Sequence, residues 1–329
     1  MPMPIMERIH PSMPVYSVRQ PNAPLFQAAN GIYVADPAGD GGILIDCIFQ
    51  PPYIKSFLEV VGKKVGTYIA THFHVDHSAK VHYYDSQGID VVMPAKEVEY
   101  MRSADFLLEH AGLRAGGLDD LFHDKVMRLF GWKPVVNATG VSPGTAWNVG
   151  GIKVEMIGLP GHSPGHPGFT ITNGDNEKIV CPVDLGFDHF GPWFGFPNAS
   201  LPEYLESMAR ISREIDNAVA ILPSHEPVIK DGYENLCNEM TRKLEGRIAA
   251  VQALMDAFPK GFTAKDGVER EVIYRKEKLL QPILPLFLFW ETWMVEHICK
   301  LLVDRNLAEE IYHASDPPGF PGNVYRSTS

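Results

Sequence analysis

The stretch TYIATHFHVDHSAK, residues 67–80, joins an apolar run to four side chains able to bind metal: His72, His74, Asp76 and His77. Its first residues have the aromatic and β-branched character of a buried strand, and the chain turns polar at Thr71. If the chain leaves a strand there, His72 and His74, two positions apart, point to one side. Asp76 and His77 begin the next helix and reach an adjacent point, so one segment can serve two neighbouring ions. A lone cluster of this kind can also be a hydrogen-bonded turn, so what decides is whether other metal-binding types stand at equivalent places. They do: IKVEMIGLPG (152–161) ends at His162, KIVCPV (178–183) at Asp184 and AVAILPS (218–224) at His225. Layered α/β sheets build sites at strand ends, where a rigid strand fixes the ligand and the loop leaves it accessible.

Outward from these strands, NGIYVADPAGDGGILIDCIF reads as a hairpin turning in its Gly-rich segment, and from about residue 25 it opens a sheet. VGTYIAT, SAKVHYYDSQG and IDVVMPA then alternate strand-like and helical patterns, which predicts α/β layers. Residues 97–132 read as helical and insert between two groups of strands as a cap. After Pro227 the pattern changes to long helices in NLCNEMTRKLEGRIAAVQALMDAF and WETWMVEHICKLLVDRNLAEEI. The expected division is a catalytic domain over 1–235 and a helical domain with a Pro/Gly/Ser-rich tail over 236–329, the tail (315–329) ordered only by docking.

With 329 residues, 45% of them hydrophobic and 21% charged, the chain can bury one large core or a main domain with an appendage. Forty acidic against 29 basic residues give a net charge of -11, which repels a nucleic-acid backbone unless a basic face is segregated. No run of Lys and Arg supplies one. Cys47, Cys181, Cys237 and Cys299 lie far apart, without the spacing of a disulfide framework or a zinc knuckle. The Pro-rich amino terminus has no signal-like apolar run, so the expectation is a cytoplasmic protein. PILPLFLFW (282–290) is about half the length of a membrane span. It is expected to be a buried helix or a contact between subunits of a homo-oligomer, with an apolar substrate wall or a membrane-surface contact as the alternatives.

The combination resembles the metallo-β-lactamase superfamily, whose signature is His-x-His-x-Asp-His followed by a separate His, an Asp and a last His. THFHVDH, LPGHSPGH, PVDLGF and LPSHEP supply the parts in order, and the resemblance covers about residues 25–230. It implies a four-layer αββα sandwich and a pair of divalent metal ions. His72, His74 and His162 would hold the first, Asp76, His77 and His225 the second, and Asp184 would bridge them. His166 is expected beside the site, not on a metal. One departure stands out: the last motif is commonly Pro-Gly-His-Gly, whereas here Ser224 and Glu226 flank His225. Glu226 is expected to cap a turn, with orienting a ligand as the alternative.

By the same resemblance, Asp184 points away from true β-lactamases, which generally lack it, and towards the glyoxalase II, lactonase, thioesterase and phosphodiesterase branches. FGFPNASLPEYLESMARI and the helices after LPSHEP resemble metallo-β-lactamase-like proteins, the metallo-β-lactamase-like protein 2 branch among them, that carry a small winged-helix-like carboxy-terminal domain. Some of these cleave single-stranded RNA and others act on thioesters. Two ions can share and activate a water as a bridging hydroxide nucleophile, and Asp76 and Asp184 are the expected catalytic carboxylates. Zinc suits such ligands, with iron or manganese close behind. Large apolar groups such as Phe106, Trp132, Trp193, Phe196, Phe287 and Trp290 favour an apolar or aromatic acyl small molecule if several line the cleft. The expected activity is hydrolysis of an ester, thioester or lactone. The alternatives are a phosphodiesterase or endoribonuclease, requiring Arg210, Arg213, Arg242, Lys243 and Arg247 to form a basic groove, and a metal-binding regulatory protein with slow turnover. His189 and Tyr204 are lesser candidates for polar contacts.

Overall fold

The computed structural model describes residues 2–23, 29–39, 42–61, 65–188, 190–313 and 319–328. Seven strands form the first sheet in chain order: β1 (Ile5–His10), β2 (Met13–Arg19), β3 (Gly31–Val34), β4 (Gly42–Ile45), β5 (Val65–Ile69), β6 (Asp90–Pro94) and β7 (Thr139–Val141). The second sheet runs β12-β11-β10-β9-β8, from β8 (Ala146–Val149), β9 (Ile152–Gly158), β10 (Pro167–Thr172), β11 (Lys178–Val183) and β12 (Ala218–Pro223).

Side chains alternate across a strand, and here the alternation sorts them into three apolar strata. Ile32, Val34, Ile43, Ile45 and Ile69 face between the sheets, where they meet Ile179, Cys181, Ala220 and Leu222. Tyr33, Leu44 and Tyr68 point the other way, towards the helix Pro51–Val61 and the cap. Val180, Ala218 and Ile221 point outward from the second sheet, onto the helices Leu201–Ile215, Leu236–Asp256 and Leu284–Asp304. The result is the αββα arrangement expected from the sequence.

The cap consists of short helices. Ser103 ends one at Arg102 and caps the next by accepting from Phe106 N at 3.2 Å, and a single π turn, His123–Met127, follows further on. The segment 282–290 starts the helix Leu284–Asp304, with Leu286 and Phe289 buried against the cap. No helix among the described residues is long and apolar enough to cross a membrane.

Two features depart from the sequence reading. The first sheet opens at Ile5, not near residue 25, because β1 and β2 form a hairpin before the expected one. The run read as helical through Ile311 leaves the helix at Asn306, whose φ of 58° is the left-handed conformation that commonly ends helices. Ala308–Tyr312 (β13) then pairs antiparallel with Val324–Ser327 (β14), so this part of the tail is held by a ladder and by a bridge from Tyr325 to Phe262.

Strand direction positions the site. β4, β5 and β6 are parallel, so their carboxyl ends share one edge. β11 and β12 are parallel, and β9 shares their direction because both β9 and β11 are antiparallel to β10. The residues following β5, β9, β11 and β12 are therefore delivered to one end of the sandwich.

Candidate functional site

All seven residues singled out by the sequence converge there. One ligand atom from each of His72, His74, His162 and Asp184 lies within 4.8 Å of the others, and Asp76, His77, Asp184 and His225 form a second such group. In the first group His162 Nε2 lies 3.2 Å from His72 Nε2 and 3.0 Å from His74 Nδ1. In the second, His77 Nε2 lies 3.3 Å from His225 Nε2, while Asp76 Oδ2 is 3.6 Å from His225 Nε2 and 3.9 Å from His77 Nε2. Asp184 Oδ2 belongs to both, at 3.8 Å from His72, 3.7 Å from His162 and 3.0 Å from His77.

The hydrogen bonds behind the imidazoles define which nitrogens face inward. Thr71 donates its hydroxyl proton to Asp46 Oδ2 at 2.6 Å, so its oxygen accepts from His72 Nδ1 at 3.0 Å. The Trp193 carbonyl accepts from His162 Nδ1 at 2.9 Å, and Asp46 Oδ2 accepts from His77 Nδ1 at 2.7 Å. The Nε2 atoms of these three rings are thus left to point lone pairs at one another and at a carboxylate. Such an arrangement repels itself unless protons or cations lie between. Ligands about 2.0–2.1 Å from one tetrahedral centre would stand about 3.3 Å apart, close to the spacings seen. The buried Oδ1 of Asp184 accepts no hydrogen bond among the described residues. The donor set fits divalent metal.

Burial, with the neighbouring imidazoles, drives His72 and His74 well below the usual histidine range. Burial also opposes charge on His77 and His225, but Asp184 and Asp76 outweigh it: His77 is held well above the usual range and His225 at about 9. Asp184 is the reciprocal case: burial favours its neutral form, and His77 and His225 overcome that to hold it well below the carboxylate range.

His166 is not among the converging atoms. Its Nδ1 donates to Leu159 O at 3.0 Å and its Nε2 accepts from Asp184 N at 3.1 Å, so it fixes the backbone of the central carboxylate. That backbone follows Val183, a β-branched residue at φ 55°, a conformation that stores strain next to the site. Gly161 precedes His162 at φ 122°, and a Cβ there would lie 2.3 Å from Tyr204 N, so only glycine fits. Tyr204 itself is fully buried and packs on Phe194. His189 lies outside the described residues.

Sequence reading missed three supporting residues. Asp46 terminates the apolar run GILI of β4, the same signal that marked Asp184, and could have been found by it. Asn30 accounts for how His225 is held without flanking glycines: its Nδ2 donates to Pro223 O and Glu226 O, and its N to Ser224 O. Glu97, fully buried, accepts from Phe73 N, Ser163 Oγ and Gly165 N, and nothing in its local sequence signals this.

An aromatic wall flanks the first group. The Trp193 ring centre is 5.3 Å from the rings of both His74 and His162, and that of Phe196 is 5.0 Å from His74. Trp290 stands 5.9 Å from Trp193 and 6.0 Å from Phe196.

Residues 27–174 match the family model of the metallo-beta-lactamase superfamily. No curated protein matches the chain by sequence. Among solved structures, a metallo-beta-lactamase family protein from Thermus thermophilus is 19% identical, with a TM-score of 0.67 over 95% of this chain and 98% of the other. A beta-lactamase domain protein from Burkholderia ambifaria is 18% identical, with a TM-score of 0.70 over 98% and 93%. A B3 metallo-beta-lactamase described as having an active site glutamic acid is 16% identical, with a TM-score of 0.52 over 74% and 88%. The first two likenesses of fold extend through the carboxy-terminal helices.

Proposed function

We propose that this protein, which has the metallo-β-lactamase fold, is a metal-dependent hydrolase of an ester, thioester or lactone with an apolar or aromatic acyl group. The observation carrying this reading is the position of Asp184 Oδ2 within 3.8 Å of His72, His162 and His77, between two groups of inward-facing donors. In this reading His72, His74 and His162 hold one divalent ion, Asp76, His77 and His225 hold a second, and Asp184 joins them. When bound, the ions supply Lewis acidity for a substrate carbonyl and lower the pKa of a water towards neutrality.

The chain's own residues do the rest. Asp46 and the Trp193 carbonyl lock the tautomers of His77 and His162, so their Nε2 atoms stay available as donors. In the same reading Asp76, more exposed than Asp184, accepts a proton from the attacking water and passes it to the leaving group. Trp193, backed by the buried Phe196 and by Trp290, gives the acyl portion a water-excluding surface beside the first group.

Acyl chemistry is favoured over phosphodiester cleavage by the net charge of -11, which repels a phosphate backbone, and by the aromatic rings beside the first group. Borderline nitrogen and oxygen donors suit zinc, and iron or manganese could take the same positions.

The test is elemental analysis of the purified protein together with turnover of a thioester, ester, lactone, β-lactam and phosphodiester panel. Acyl esters, thioesters or lactones are expected to turn over, and His72→Ala and Asp184→Asn to lose at least about a hundredfold in kcat/KM. Cleavage of only the phosphodiester or only the β-lactam would overturn the substrate class. Full metal occupancy with no turnover would favour a regulatory metal-binding protein.

A further inference from the structure

The two loops that supply the first group of histidines come from different sheets, and one buried side chain accepts hydrogen bonds from both. Glu97 closes the turn Ala95–Glu97 that follows β6, next to the carboxyl end of β5. Its Oε2 accepts from Phe73 N, the amide between His72 and His74, at 3.2 Å. Its Oε1 accepts from Ser163 Oγ at 2.7 Å and Gly165 N at 2.5 Å, on the loop that begins at His162. The carboxylate is completely excluded from solvent. The approach is close enough that a Cβ on Gly165 would lie 2.8 Å from Glu97 Cγ, which ties the identity of residue 165 to the contact.

A buried carboxylate with three donors from two loops holds those loops at one separation, since each lost bond would leave a polar group without water or partner. We infer that Glu97 is a positioning residue for the first metal: it sets the distance between the His72–His74 loop and His162, and so the affinity of that metal site. It also anchors the start of the helical cap to the site. The inference rests on the metal-binding reading above.

The test uses the full chain carrying Asp76→Ala, which removes a donor from the second group only, and measures Zn²⁺ affinity by competition with a chelating dye. Glu97→Gln retains an acceptor for Ser163 and Gly165 but turns an amide N–H₂ towards Phe73 N. Ser163→Ala removes one bond and leaves the carboxylate. Glu97→Gln is expected to weaken first-group affinity by about 10- to 100-fold and Ser163→Ala by less, as for other residues that orient metal ligands, while the metal-free variants melt within a few degrees of the parent. A purely structural role predicts the opposite split, a lowered melting temperature with affinity unchanged. Affinities within twofold of the parent for both folded variants would overturn the inference and leave the metal reading standing. Failure of the wild-type protein to take up any metal would defeat both. If Glu97→Gln does not fold, Ser163→Ala alone decides, and an affinity equal to the parent's then counts against the inference.

Discussion

At the scale of single residues, Asp184 and its histidines form an arrangement that cations would relieve. His77 Nε2 stands 3.0 Å from Asp184 Oδ2 while its Nδ1 is committed to Asp46, so in the metal-free protein a proton on Nε2 screens the pair. The raised pKa values of His77 and of His225, about 9, express the same fact. Below about pH 9 metal uptake must therefore displace protons, and apparent affinity at the second group falls as pH falls. Calorimetric titration in buffers of differing ionisation enthalpy should register proton release at pH 7 that diminishes above pH 9. Heats independent of buffer would contradict it. Asp46→Ala should lower second-group affinity by about 10- to 100-fold, as measured by chelator competition, because Thr71 N, Thr71 Oγ1 and His77 Nδ1 all donate to it. The seven converging residues were legible because each ends or follows an apolar run. Asp46 carried that signal unrecognised. Glu97 and Asn30 carried none, since what they do is defined by partners 24 to 196 positions away.

At the scale of elements, the helix Leu236–Asp256 reaches the site through a loop. Arg247 donates to Phe190 O and Pro192 O, and the next carbonyl along, Trp193 O, is the acceptor for His162 Nδ1. Lys243 adds a bond to Asp188 O. Arg247→Ala should free this loop, raising amide exchange across residues 190–194 and lowering kcat/KM by about tenfold, with Arg247→Lys intermediate because its single nitrogen replaces the two guanidinium nitrogens that reach Phe190 O and Pro192 O separately. Exchange unchanged in Arg247→Ala would remove the proposed brace. The strands that carry the site were readable as apolar runs between turn residues. The β1–β2 hairpin was not, because its prolines and half-exposed side chains lack that contrast. β13 was read as helix because AEEIY has no breaker, and only Asn306 in the left-handed conformation marks the boundary.

At the scale of the whole molecule, the expected division near residue 235 bears on stability. Cys237, Met240, Leu244, Ile248 and Val251 belong to the same apolar cluster as Met208, Ile211 and Ile221 of the preceding segment. Removing residues 236–329 would uncover that face, and the expected outcome is an insoluble or unfolded fragment. A soluble fragment with native circular dichroism would show instead that the first 235 residues fold alone. The proposed function depends on the four strand ends meeting around the two groups of metal-binding side chains. Crystals grown with Zn²⁺ and measured at wavelengths on either side of its absorption edge test this most directly. The account predicts two anomalous peaks, one among His72, His74 and His162 and one among Asp76, His77 and His225, with Asp184 touching both. Anomalous density elsewhere, or none beside Asp184, would contradict it.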